Sequence, residues 1–366
     1  MGSFRRTRAS LATFLLVSAA LATPQLAVTL HAQSTDAAQL DSADAGLFQQ
    51  GLDAQHKRDL ATAENDYREL LARSSGFLPA RFNLGLVLDA EGRTAEALDA
   101  FEAVVASDPG FPAVQMFAGI ENFRLGRLPA AQTALELATR QSPENLQCWF
   151  WLARTDFAAG KTLEGKAAVD KALAISPEEP RVLYLLAQYQ ISAQDLAGAE
   201  RTLTGLATRY PKVPDFHESL GSVYYLEARL DKAEEEYRTQ LQLDANNPQA
   251  FSMLGVILLD RGQAKQSIEY LAKGLEANPR IAYLQRKIGQ ALLESGQALE
   301  AVEHLRQATA LDPRDATAHF LLWKADSSLN RKTEAAAELE AFRKLQSQPQ
   351  MPVGLPPTTA QGAVPH

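Results

Sequence analysis

Between residues 82 and 109 the chain reads FNLGLVLDAEGRTAEALDAFEAVVASDP: two runs of apolar side chains at helical spacing, parted by a short polar turn. A glycine, Gly85, sits inside the first run, where it costs about 1 kcal/mol relative to alanine, so close packing must offset the loss. Stepping 34 residues at a time from Gly51 meets Gly85, Gly119, Ala153, Ala187, Gly221, Gly255 and Gly289, all small, before Trp323 breaks the series. A second small series runs through Ala63, Ala97, Ala131, Gly165, Ala199, Ala233, Ser267, Ala301 and Ala335 in the same register. Gly92, Gly126, Gly160, Gly262, Gly296 and Asn330 follow the first run directly, and these residue types end helices in the left-handed conformation. Pro109, Pro143, Pro177, Pro211, Pro279 and Pro313 close six units where a helix cannot continue, while Ala245 departs and Pro248 follows shortly after. The pattern predicts about nine units, each a helix, a tight turn and a second antiparallel helix, starting near residues 44, 78, 112, 146, 180, 214, 248, 282 and 316 and ending near 344.

Counting each unit from those starts, small residues occupy positions eight and twenty, and in most units an aromatic residue or leucine stands at position twenty-four (aromatic at Tyr67, Phe101 and Tyr237) and a proline closes the unit. This resembles the tetratricopeptide repeat family. The resemblance implies an all-α, right-handed superhelical solenoid that binds proteins or extended peptides along its concave wall and has no catalytic role. Trp323 at a small position marks the ninth unit as a terminal cap, with Ala335, Leu339 and Phe342 on one face of its second helix and charges on the other. The family's carboxylate clamp is not reproduced, because position five is aromatic in the first two units where the clamp wants a base. That disfavours a receptor for acidic chaperone tails.

Carried over position by position, the concave wall takes Phe48 and Phe82 from the first two units and Met116, Phe123 and Arg124 from the third. The fourth adds Phe150, Arg154 and Phe157, and the fifth Tyr184 and Gln188. Aromatic rings beside arginine are the residue types enriched in binding hot spots. Later units supply a more polar set that includes Asp215, Glu218, Ser222, Tyr225, Asp260 and Arg286.

Composition narrows the partners. The net charge of −8 argues against nucleic acid, whose binders concentrate lysine and arginine. A single cysteine, Cys148, rules out an intramolecular disulfide and Cys-rich metal sites. At the N-terminus Arg5, Arg6 and Arg8 precede the apolar run from Leu11 to Ala22, the order of a secretory signal peptide, which we place at residues 1–32. The alternative, an uncleaved anchor in the inner membrane facing the periplasm, is weakened by Pro24 and Gln25. Residues 33–43 read as a linker, and 345–366, rich in proline and without charge, as a disordered tail.

Once the repeats and the expected signal peptide are subtracted from the 366 residues, neither end keeps the roughly 40 residues an independently folding domain needs, so catalysis would have to sit on the repeats. No phosphate loop, metal motif or nucleophile arrangement is present in the sequence, and we expect neither metal nor cofactor. His217 and His319, both at position four, read as packing groups, Glu303 and His304 as a solvated pair, and Cys148 as structural. The expected protein is an exported scaffold of the periplasm or cell envelope that binds protein or peptide partners. It would meet a membrane only through an uncleaved N-terminal segment. The alternative is a structural part in envelope polymer (polysaccharide or pilus) assembly or export.

Overall fold

The computed structural model describes residues 40–347. The expected signal peptide, most of the linker and the tail from residue 348 lie outside the described residues. Those described form eighteen α-helices and no strand. Consecutive helices pair as the 34-residue period predicts, and the chain divides into two compact units, with the division between Leu185 and Leu186.

The first unit holds α1 (Ser42–His56) with α2 (Leu60–Arg73), and α3 (Leu78–Ala90) with α4 (Thr94–Ser107). It continues with α5 (Val114–Arg124) and α6 (Leu128–Gln141), then α7 (Leu146–Ala158) and α8 (Thr162–Ile175). Helix α9 (Pro180–Ser192) contains the boundary. The second unit follows with α10 (Leu196–Arg209), α11 (Pro214–Leu226), α12 (Leu230–Leu243), α13 (Pro248–Asp260) and α14 (Ala264–Glu276). It ends with α15 (Ala282–Glu294), α16 (Ala298–Leu311), α17 (Ala316–Ser328) and α18 (Lys332–Ser347). Helix α18 therefore runs past the boundary read at 344, and the first residues assigned to the tail are helical.

The small ladder is the contact between the helices of a pair. A Cβ on Gly85 would lie 2.5 Å from the Phe101 ring, and one on Gly51 2.6 Å from the Tyr67 ring. Both rings are fully buried, so the ridge of the second helix fills the notch left by glycine on the first. In the second unit Gly289 meets Leu305 in the same way at 2.5 Å, whereas Gly221 leaves 3.1 Å to Tyr237.

Every pair turns through a left-handed residue at position fifteen. Glycine serves in five of them, with φ between 73° and 80°, and Asn330 serves in the last at 58°. Arg58 (φ 60°), Gln194 (62°) and Ala228 (58°) take the same conformation without glycine's freedom. One irregularity stands in the third pair: Ala113 is also left-handed (φ 62°), and α5 begins only at Val114. The Pro-Gly-Phe-Pro stretch before it places Phe111 5.3 Å from Phe82, in the core.

Candidate functional site

The face of the first helices is built from positions two, five, nine, twelve and thirteen, and the structure separates these sharply. Position five is core. Phe48, Phe82, Met116 and Phe150 are only 2%, 1%, 9% and 4% exposed, so they do not line an open wall as expected. For the first two the cause is the end of their own repeat: Phe77 packs edge-on to Phe48 at 5.1 Å, and Phe111 covers Phe82.

The expected residues that stay accessible are Arg124, which is exposed, and Phe123, Arg154, Phe157 and Tyr184, which are half-buried. Gln188, also half-buried, belongs to the second unit. The Phe157 ring lies over Gly165, 2.6 Å from where a Cβ would stand, so it packs mainly within its own repeat.

Arg154 is the centre of this set. Its guanidinium lies 5.0 Å from the centroid of Phe123, 5.7 Å from Phe150 and 4.5 Å from Trp151. Arg181 approaches the Phe150 ring at 5.2 Å and pairs with Glu179 at 2.7 Å. Trp151 is the member that the sequence reading passed over. It is edge-on to Phe123 at 5.6 Å and half-buried. Its signal was local, since CWFWLAR sets two aromatic rings within four residues before the arginine. Such stacking attracts the cation to each ring's negative face.

Beside the cluster, Arg124 bridges Asp89 and Glu121, the latter at 2.7 Å. Glu121 is fully buried, and burial together with the Asp89 charge pushes its carboxyl up to about 7 against the pull of Arg124. Asp156 accepts a hydrogen bond from Gln132 at 2.9 Å, and burial raises it to about 6. Cys148, almost fully buried, is pushed up to about 12, so its thiol is protonated and inert at neutral pH.

In the second unit the corresponding face is polar and paired. The Tyr225 hydroxyl donates to Asp260 at 2.8 Å, Lys287 approaches the same carboxylate at 3.6 Å, and Arg286 pairs with Asp315 at 2.7 Å. Burial and the Asp260 partner both push the Tyr225 phenol up.

Position four has a regular task that the sequence reading described only as packing. In the first unit Arg81 donates to the carbonyl of Ser75 at 2.7 Å and Trp149 to that of Pro143 at 2.7 Å. In the second, His217, Gln285 and His319 reach the carbonyls of Pro211, Pro279 and Pro313 at 3.1, 2.9 and 3.3 Å. Each locks the chain entering its repeat six residues upstream. The other ring nitrogen of His217 meets Glu236 at 2.7 Å, which raises the imidazole above its ordinary value against the opposing effect of burial. His304 is not the solvated partner of Glu303. Its Nδ1 meets Gln285 Oε1 at 2.7 Å, and burial lowers its pKa.

Among the described residues no group of three or more acidic, histidine or cysteine side chains is arranged to hold a metal ion, and no helix is long and apolar enough to cross a membrane.

A tetratricopeptide repeat model matches residues 48–112, 118–180, 252–316 and 286–352, and a second matches 157–222. The chain resembles the crystal structure of a tetratricopeptide repeat protein from Parabacteroides merdae ATCC 43184, with a TM-score of 0.55 and 14% identity over 68% of this chain and 98% of that one. It also resembles the APC/C hetero-tetramer Cut9-Hcn1, with a TM-score of 0.57 and 15% identity over 81% of this chain and 58% of that one. Both likenesses are of fold alone. No curated protein matches the chain. With the repeat model covering more than half of its residues, the chain belongs to the tetratricopeptide repeat family, whose arrays are typically non-catalytic scaffolds for protein partners.

Proposed function

We propose that this protein is an exported scaffold of the periplasm or cell envelope that captures an extended protein segment on the first-helix face around Phe123, Trp151, Arg154 and Phe157. The observation that carries the reading is the arginine held among three aromatic rings on that face. A partner segment laid there buries ring area already ordered by stacking, so little side-chain entropy is lost on binding. Arg124, exposed at the edge and tied to Asp89 and Glu121, adds a polar rim. The location rests on the basic and apolar order of the first 32 residues, which resembles an export signal.

The test is photocrosslinking in the native cell from a probe at Arg124, with Leu163 as control. Leu163 lies on the second helix of its pair and is 77% exposed. Capture of a protein from position 124 and not from 163, lost on Arg154→Glu, is the expected result. Equal capture from both positions sinks the assignment of this face. Fractionation of the same cells checks the location, and a cytoplasmic protein of full length overturns it.

A further inference from the structure

The two ends of the described array are finished differently. On α1 the outward side chains Gln49, Gln50 and Asp53 are exposed and polar, as a water-facing end requires. At the other end Phe320, at position five of the last repeat, is 38% exposed, although the same position is 2% exposed at Phe48 and 4% at Phe150. Phe320 lies 5.3 Å from both Trp323 and Phe342, and these two rings are only half-buried. Within the second unit the equivalent of Phe342 is Ala308, fully buried beneath α17, the first helix of the next repeat. The last repeat thus presents an aromatic seam of the kind that a further first helix covers elsewhere.

The charges around the seam indicate what covers it. Lys324 lies one helical turn beyond Phe320 on α17, and Lys332 and Arg343 lie along the α18 stripe that contains Ala336 and Leu339; all three bases are exposed. Of the acids of α18, Glu338 is bound to His319 and the helical period carries Glu334 to the far side, while Glu340, four residues from Ala336 and three from Arg343, borders the stripe, which leaves the bases in excess there. The residues that follow, 348–366, contain no Asp or Glu side chain to set against these bases. A second copy would set the basic fringe against itself.

We propose that the seam of α17 and α18 docks an amphipathic helix of a partner protein, with an apolar ridge over Phe320, Trp323 and Phe342 and acidic residues along its flanks facing Lys324, Lys332 and Arg343. The occupant adds the helix that a tenth repeat would supply. This surface is separate from the aromatic and arginine cluster of the first unit and does not depend on it.

The probe is a labelled synthetic helix of about 18 residues, long enough to hold some helicity alone, with a leucine and alanine ridge flanked by glutamates, and a twin with lysines in their place. Fluorescence anisotropy with the full chain should show saturable binding of the acidic helix and none of its twin. Phe320→Glu and Arg343→Glu should each weaken binding at least tenfold with circular dichroism unchanged, and Arg124→Ala should leave it as it was. Because Arg343 is exposed, its substitution tests the seam even if Phe320→Glu perturbs the last repeat. No saturable binding, equal binding of the twin, or affinity indifferent to both seam substitutions overturns the proposal. Self-association of the protein that both substitutions abolish also overturns it, by giving the seam to a second copy.

Discussion

The first-helix faces of the two units use the same register to opposite ends. In the first unit position twelve of one repeat reaches position thirteen of the next as Asp89 to Arg124, and in the second as Tyr225 to Asp260. Around that shared step the first unit gathers Phe123, Phe150 and Trp151 on one arginine, whereas the second sets a phenol, two carboxylates and two bases in pairs. Repeats fix where side chains meet and leave open what they are. Arg154 lies against three ring faces, whereas Arg286 and Lys287 divide their contacts between the Tyr283 ring, at 5.2 and 5.8 Å, and carboxylates that salt can screen.

The comparison breaks most readily where the scaffold itself is tightest. Gly85→Val forces a side chain to within 2.5 Å of the Phe101 ring, while Gly221→Val has 3.1 Å to Tyr237. Overpacking of this kind costs about 1–3 kcal/mol, so the first substitution should approach the upper figure and the second the lower. Denaturant unfolding of both variants checks the order, and equal losses would mean that the notch does not set the helix spacing.

Next in size is the difference between the two faces. Arg154→Ala should cost about 2 kcal/mol, since the guanidinium is stacked on three rings and partly desolvated, and the loss should persist in high salt. Lys287→Ala removes a 3.6 Å contact with Asp260, a 5.8 Å approach to the Tyr283 ring and the packing of a largely buried stem, and should cost about 1 kcal/mol, of which the part carried by the carboxylate fades as salt is added. Melting temperatures across a salt series separate the two, and parallel salt dependence would mean that both faces hold their cations in the same way.

A smaller effect lies in the turns. Ala228→Gly should stabilise by about 1 kcal/mol because its φ of 58° is strained for alanine, and Gly92→Ala, at φ 77°, should destabilise by a similar amount. A null result at Ala228 would imply that the unfolded chain's gain in freedom with glycine cancels the relief of strain.

Much of this was legible in the sequence for a physical reason: glycine notches and left-handed turns are local requirements, so they recur with the period. Position five was misread because a helical projection knows only its own helix. Phe48 and Phe82 point outward on it and are then covered by Phe77 and Phe111, which arrive at the far end of the same repeat. Trp151 escaped for the converse reason, since its position was assigned to neither face and only the folded chain shows it meeting Arg154. The turns at Arg58, Gln194 and Ala228 carry no sequence mark, because the conformation there is imposed by the packing of the pair. The carbonyl locks at position four were hidden by their variety, as arginine, tryptophan, glutamine and histidine share only an N–H donor of suitable reach.

That shared task allows the second unit's titration to be isolated. His217 faces Glu236 with one nitrogen and the Pro211 carbonyl with the other, so both nitrogens donate only in the imidazolium form, which is why its pKa is raised. A raised folded value means that the stabilisation is complete below the unfolded value of about 6.5 and is lost as pH rises through the folded one. His217→Gln keeps a donor for the carbonyl, as Gln285 does at the equivalent place, and removes the titrating group. The difference in melting temperature between the two proteins should therefore favour the histidine below about pH 6.5 and shrink through neutral pH, for a contribution of about 1 kcal/mol or less. The first unit, with Trp149 at this position, has no titrating group in its lock. Trp149→Gln should then give a difference that is flat over the same range, and a parallel slope in both variants would locate the pH dependence outside the position-four locks.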